Sequence, residues 1–463
     1  MFCPPLFLLM LKHRLLIVFL ILNFIGSLDV SRLCAQDPEG GKHEMDRNFK
    51  SGTLTGDWHS LQTKLHKMDR NFKSGTLTGD WNGLRTKLYE KGVDFEVEYF
   101  GDLFSLVSGG LDRRTDFTGL LGLALYLDAN RLVGLEGAQF FIFGIGSHGN
   151  DFLENVGSAH DVSSIAAPDT FKLFELWYEQ SFLEDQVSIL FGLYDLTGEF
   201  DIRPTAQLFV NGAFGTGQDL SETGKNGPST FPATSLASRI KVNLTPSLYY
   251  MGAVLDGVSG DPTNPTNGTQ IDLNSDDGLL IANEIGYESP GEIKGLNKAG
   301  LGAWVYTTDL DDQVKVNASG NPVQQSGTYG IYTFVDATLF LEEGSTSQGL
   351  YSFFRIGIAE ENVNKIDLYL DGGLVYQGLF NNRPEDKIGL GVSMDRFSEG
   401  FKQKQEQSQI LIEETEVLLE LTYQYDAGSG ILLQPDFQYV FNPAQFKGAG
   451  NAASIGLRFA INL

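Results

Sequence analysis

From Val93 onward, apolar and polar residues alternate with a period of two. In Val93-Asp-Phe-Glu-Val-Glu-Tyr99 the odd positions are apolar, while Asp94, Glu96 and Glu98 point the other way. Successive side chains of a strand face opposite sides, so the pattern predicts strands with one apolar and one wet face. It recurs at about 118–128, 135–145, 171–183, 186–195, 236–244, 248–256, 279–287, 299–307, 329–341, 349–359, 366–377, 386–395, 414–425, 431–441 and 453–463, which with the first makes sixteen segments. Long connections rich in Gly, Asn, Asp, Ser and Pro fall at 146–170, 196–235, 257–278, 308–328 and 396–413, and the other connections are short.

Before Val93 the pattern is different. Met45 to Trp58 recurs unchanged as Met68 to Trp81, a period of 23 that occurs only twice, so the chain is no solenoid. The second copy continues through Leu84-Arg-Thr-Lys-Leu-Tyr-Glu90, with Asp80 as N-cap and Gly92 as stop, and predicts a short helix. Copy two leads directly into the first strand. Residues 43–67 are therefore expected to be dispensable for function.

Sixteen two-faced strands suit either a soluble sandwich or propeller, or a closed barrel in lipid. The final segment, Ser454-Ile-Gly-Leu-Arg-Phe-Ala-Ile-Asn-Leu463, alternates to its last residue. An unshielded apolar edge strand invites aggregation in water, whereas in a barrel such a strand closes the ring. Sixteen is also even, as single-chain bacterial barrels are, and large enough to enclose an aqueous lumen. The expected fold class is thus all-β: a closed antiparallel transmembrane β-barrel of about 16 strands at 93–463. A short periplasmic helix precedes it within a segment at 36–92.

Composition agrees. The 463 residues include 54 Gly, 33 Phe and 17 Tyr, and the mean hydropathy is only −0.11. A barrel shows lipid alternate residues alone, so it need not be hydrophobic on average. One apolar run stands out: Leu15 to Ile25 follows Lys12, His13 and Arg14 and precedes Cys34-Ala35-Gln36, which predicts a secretory leader over 1–35. Met10 is a second candidate start. Both cysteines, Cys3 and Cys34, lie in that leader. An exported chain without disulfides must take its stability from elsewhere, and a hydrogen-bonded ring supplies it.

The formal charge of −26 disfavours nucleic-acid binding. It is read as a solvated acidic surface, or as loops that hold divalent cations or bias a pore against anions. The stretches Asp272-Leu-Asn-Ser-Asp-Asp-Gly278 and Asp309-Leu-Asp-Asp312 offer oxygen ligands, yet neither matches a full calcium loop, and no metal site is assigned. Five histidines remain after the leader, without a Gly-x-Ser-x-Gly or His-Glu-x-x-His motif, so an enzyme is not expected.

Several blocks resemble the carbohydrate-selective porin (OprB-like) family: Leu77-Thr-Gly-Asp-Trp-Asn-Gly-Leu-Arg-Thr-Lys-Leu88 with Ser108-Gly-Gly110, and Leu176-Trp-Tyr-Glu-Gln180 followed by Ile189-Leu-Phe-Gly-Leu-Tyr-Asp195. Two more are Arg383-Pro-Glu-Asp-Lys-Ile-Gly-Leu-Gly391 and Leu433-Gln-Pro-Asp-Phe-Gln-Tyr-Val-Phe-Asn-Pro443. The resemblance implies an outer-membrane porin for passive, carbohydrate-preferring diffusion of small hydrophilic solutes. It also implies no bound cofactor, small sugars and outer-membrane lipid as partners, and a homotrimer as one assembly. A general low-selectivity or ion-conducting porin is the alternative reading. An envelope anchor or an outer-membrane hydrolase has less in its favour.

A sugar pore needs flat rings for C–H faces and polar groups for hydroxyls. If Phe174, Leu176 and Tyr178 face lipid, then Glu175, Trp177 and Glu179 face the lumen. Trp177 is the candidate stacking platform, with an interfacial aromatic girdle as its other reading. Arg114, Arg239, Arg355 and Arg458 fall on lumen parity, Arg113 and Arg114 form a pair at a strand entrance, and guanidinium forks suit hydroxyls. Each is also suited to a transverse charge ladder on the wall. The resemblance implies an aromatic and arginines at the narrow region, with Arg113 and Arg114 nearest to it.

Overall fold

The computed structural model describes residues 75–463, apart from loop positions 151, 262–263, 265–267, 272, 292–293 and 444–449. The expected leader, the first copy of the duplication and the start of the second lie outside the described residues. Sixteen antiparallel strands close into one barrel, from β1 (Val93–Ser108) and β2 (Thr115–Asp128) round to β15 (Ile431–Phe441) and β16 (Ala452–Asn462). Each strand pairs with its neighbours in sequence, and β1 pairs β16 with Glu98 opposite Asn462. No backbone edge remains, which lipid demands.

Alternation sets the two faces of the wall. On β16, Ile455 and Leu457 stand on the exposed outside while Ser454 and Arg458 are buried inside. On β1, Leu103 is outside and Asp102 inside, where its carboxylate takes two hydrogen bonds from Arg458 at 2.8 and 2.6 Å. The first and last strands are therefore joined by a buried ion pair as well as by their ladder.

The connections differ between the two ends. At one end run 109–114, 150–169, 195–234, 257–278, 317–321, 360–365, 398–414 and 442–451; at the other, 129–137, 183–186, 244–247, 289–294, 342–348, 378–386 and 429–430. The longest connections, 150–169, 195–234, 257–278 and 398–414, therefore all lie at one rim. The expected connection 308–328 is mostly strand. β9 (Gly295–Val316) and β10 (Pro322–Leu341) form a hairpin that runs past their apolar stretches, and Asp309–Asp312 lie within β9. Asp312 is held by Lys315 and Gln325 instead of lying in a loop. The apolar period marks only the part of a strand that meets lipid; the polar part pairs equally well without that signature.

The short helix forms at Leu84–Glu90, but Asp80 does not cap it in the expected way. A 3₁₀ turn, Trp81–Gly83, comes first, Gly83 takes the N-cap at φ 84°, and the Asp80 carboxylate reaches the Thr86 N–H at 2.9 Å. Gly92, at φ 89°, ends the helix in the left-handed conformation that glycine favours. The buried Arg85 donates to the carbonyls of Leu463 at 2.9 Å and Phe95 at 3.1 Å, tying this helix to the seam of the ring. Leu457 sits midway along the outer face of β16. Leu457→Arg should therefore cost about 2–4 kcal/mol in unfolding from lipid vesicles, the cost of a cation at the bilayer midplane.

Candidate pore constriction

Two of the long loops, 150–169 and 195–234, fold inward and are fixed to the wall by charge. The second is the more extensively held. Arg355 of β11 (Gly349–Ala359) is fully buried and donates from Nε to Asp201 at 2.6 Å and from Nη1 to Asp219 at 2.5 Å. Its guanidinium lies 5.2 Å from the Tyr332 ring and 5.4 Å from the Tyr369 ring. Gly217 in the loop and Gly357 on β11 permit this approach, because a Cβ at either would collide with the Arg355 or Asp219 side chain. The pairing also runs the other way. Loop Arg203 donates to wall Asp371 at 2.8 Å and to the carbonyls of Phe214 and Gly215.

Further anchors carry this loop round the inner wall. Glu284 accepts from the Asp201 N–H at 2.8 Å, Asp336 from the Thr205 N–H at 2.7 Å, and Glu420 from the Val210 and Asn211 N–H groups at 2.6 and 3.0 Å. Buried backbone donors need partners, and here wall carboxylates supply them. Loop 150–169 is tied in the same manner. His160 shares a hydrogen bond with Asp395 at 2.7 Å, the Ala159 N–H donates to Glu416 at 2.9 Å, and Ser163 donates to Asp102 at 2.6 Å.

Burial pulls the His160 imidazole down, but the carboxylates of Asp395, Glu416 and Glu222 outweigh it and hold its pKa above the usual value. Burial pushes the Asp219 carboxyl up, and Arg355 only partly offsets this.

The residues singled out from the sequence are placed as follows. Arg239 is buried on the inner side, where it binds Glu199 at 2.6 Å, Glu179 at 2.8 Å and Ser188 at 2.7 Å. Arg239, Arg355 and Arg458 are thus each paired with carboxylates. Trp177 and Glu175 also face inward, yet Trp177 is only 3% exposed. Its indole N–H donates to Glu175 at 3.2 Å, and its ring packs 5.1 Å from Phe141, so the wall covers the expected platform. Glu175 also accepts from the Asp195 N–H at 3.2 Å.

Arg113 and Arg114 are exposed at the long-loop rim, where Arg114 pairs with Asp116 at 2.6 Å. The structure does not bring them to Arg355 or Arg239.

Phe174, expected on the lipid face, is fully buried against Phe143 and Phe231. The cause is a bulge in β4 (Thr170–Phe182): Phe143 pairs with Glu175 and Gly144 with Leu173, so Phe174 is the extra residue and the parity breaks there. The inner wall is also less wet than the alternation predicted. Phe141, Phe143, Trp304, Tyr306, Tyr332 and Phe334 form an apolar cluster beneath Leu196, Phe200 and Leu220 of the loop.

The loop residues Glu199, Asp201, Arg203 and Asp219 escaped the sequence reading. The dense charge of Glu199-Phe-Asp-Ile-Arg203 inside the longest connection was the available signal.

What the loops leave open is a chamber of about 650 Å³, within the range of small-molecule sites. Loops 150–169, 195–234 and 257–278 bound it, with Phe100, Leu120, Lys172 and Leu173 as its wall. Loop 257–278 is fixed over it by Thr269, which donates to the Leu173 carbonyl at 2.7 Å.

Residues 116–463 match the family model described as "Carbohydrate-selective porin, OprB family". Porin B of Pseudomonas aeruginosa is 26% identical over 408 residues, covering 80% of this chain and 87% of that protein. The putative porin QuiX of Acinetobacter baylyi is 21% identical, covering 81% and 90%. The high-pH structure of Pseudomonas putida OprB is 24% identical, covers 85% of this chain and all of that one, and superposes with a TM-score of 0.78, which supports the barrel fold.

Two outcomes follow from the clasps. Arg355→Ala leaves two loop carboxylates buried without their cation, a loss of about 3–5 kcal/mol by the usual cost of breaking a buried pair. Single-channel conductance should rise as the loop leaves the lumen. For His160, a raised folded pKa means that its ion pair stabilises fully below the unfolded value near 6.5 and is lost as pH rises through the folded one. Amide protection factors at 159–164, corrected for the intrinsic base-catalysed rate, should therefore fall on alkalinisation, and His160→Gln should abolish that fall.

Proposed function

Because the chain belongs to the carbohydrate-selective porin, OprB family, we propose that it passes small hydroxylated solutes, sugars foremost, through the opening its clasped loops leave. The observation that carries this reading is that each arginine clasping the loops is met by carboxylates. Arg355 is matched by Asp201 and Asp219, Arg203 by Asp371, and Arg239 by Glu199 and Glu179. Bare guanidiniums would draw anions; clasped by carboxylates they do not, and an uncharged polyol passes them without an ion pair to make or break.

Arg239 and Arg355 act on the solute through the loop that they hold, while Arg113 and Arg114 meet it at the rim. Polar groups such as Gln207, Asn226 and Gln270 border the chamber and exchange hydrogen bonds with hydroxyls as these shed water. Passage is by diffusion, and the porin fold provides a channel where an enzyme would need a reaction centre. Residues 1–35 serve as the export leader. The long loops face outward and the short turns face the periplasm.

Liposome swelling distinguishes this reading from a general pore. Purified protein should admit glucose several-fold faster than an amino acid of similar size, and the margin should shrink in Arg355→Ala. Rates that follow solute size alone in the native protein would establish general diffusion instead.

A further inference from the structure

The arginines facing the lumen are consumed by carboxylates, but two lysines of the chamber are not. Lys172 lies on β4 opposite Ile145, a fully buried residue of β3 (Ala138–Gly149), and borders the chamber. Lys225, in loop 195–234, borders it as well, and its Nζ donates to the Asp276 carbonyl at 2.5 Å. Among the described residues, neither ammonium has a carboxylate at ion-pairing distance.

In a chain with 59 acidic and 33 basic residues, such lysines would be expected to find acids easily. Three of the five acids that line the chamber are engaged elsewhere: Asp201 with Arg355, Asp195 with the N–H and hydroxyl of Thr197, and Glu222 with Lys365 at 3.4 Å. An ammonium drawn partly out of water gains most from an anion that comes to it.

We infer that the chamber recognises carbohydrate derivatives bearing one anionic group, with Lys172 and Lys225 holding the anion while Gln207, Asn226 and Gln270 meet the hydroxyls. This rests on the sugar-porin reading and narrows it to the specificity of the same opening. The anion is the carboxylate of a sugar acid or the phosphate of a sugar phosphate; both present several oxygens to an ammonium that has three donors. The lysines thus determine specificity, whereas the arginines position the loop.

The test is block of ion current through the purified protein in planar bilayers, titrated with glucose, gluconate and glucose 6-phosphate. Two partly exposed ion pairs should lower the half-blocking concentration of an anionic sugar about tenfold relative to glucose. The preference should fall towards unity in K172Q/K225Q and persist in K172R/K225R. Preference for gluconate alone, or for the phosphate alone, supports the inference and identifies the anion. Equal half-blocking concentrations in the native protein, or a preference that survives K172Q/K225Q, overturn it. Failure of the underlying reading looks different: glucose would then neither enter liposomes faster than its size predicts nor block the current.

Discussion

A guanidinium that has left water must find carboxylates, and the interior of this barrel is organised around that requirement. Arg239, Arg355 and Arg458 project inward from the wall with their side chains buried, and each is met by an acid. For Arg458 the acid is Asp102 on the neighbouring strand, which helps to close the ring. For the other two the principal acids come from a loop, so satisfying the wall charge draws that loop inward. The sign also reverses, with Arg203 of the loop seated on Asp371 of the wall. Breaking any such pair strands a buried charge, which costs far more than losing a surface contact. That makes the constriction a fixed feature of the wall.

The ring and its interior differ in how far the sequence reveals them. Lipid permits only apolar residues on one face, so the sixteen strands announce themselves at period two, and segments such as 248–256 and 366–377 match the strands residue for residue. Where that constraint lapses, so does the signal. The outer reaches of β9 and β10 lie beyond their apolar stretches and read as a loop. The bulge at Phe174 shifts parity by one residue, and no local pattern marks it.

The clasps were the least legible part. Arg355 was identifiable as an inward arginine, but its partner Asp219 lies 136 residues away, and only the closed ring brings the two together. Trp177 is the converse case: it stands on the inner side that parity indicates, and its neighbours cover its ring. Parity predicts the side of the wall on which a residue stands, and the folding of the long loops decides whether that residue is reached.

The chamber thus separates two uses of positive charge. Arginines, with planar multi-donor forks, hold the architecture, while lysines with single mobile ammoniums stand at the opening. A solute entering the chamber therefore meets hydrogen-bonding groups beside arginines that are already paired, with two lysines at its border. That combination suits polyhydroxylated molecules and accounts for a sugar pore in a strongly acidic chain.

The most direct test of the central claim is an exchange of charge across one clasp, read as single-channel conductance. Asp219→Arg and Arg355→Asp should each raise conductance when introduced alone, because each sets like charges against one another and expels the loop. Together they restore an opposite pair, and conductance should return most of the way to the native value. If the double variant conducts as freely as the singles, or if neither single change alters the conductance of a folded barrel, then the clasp does not set the bore.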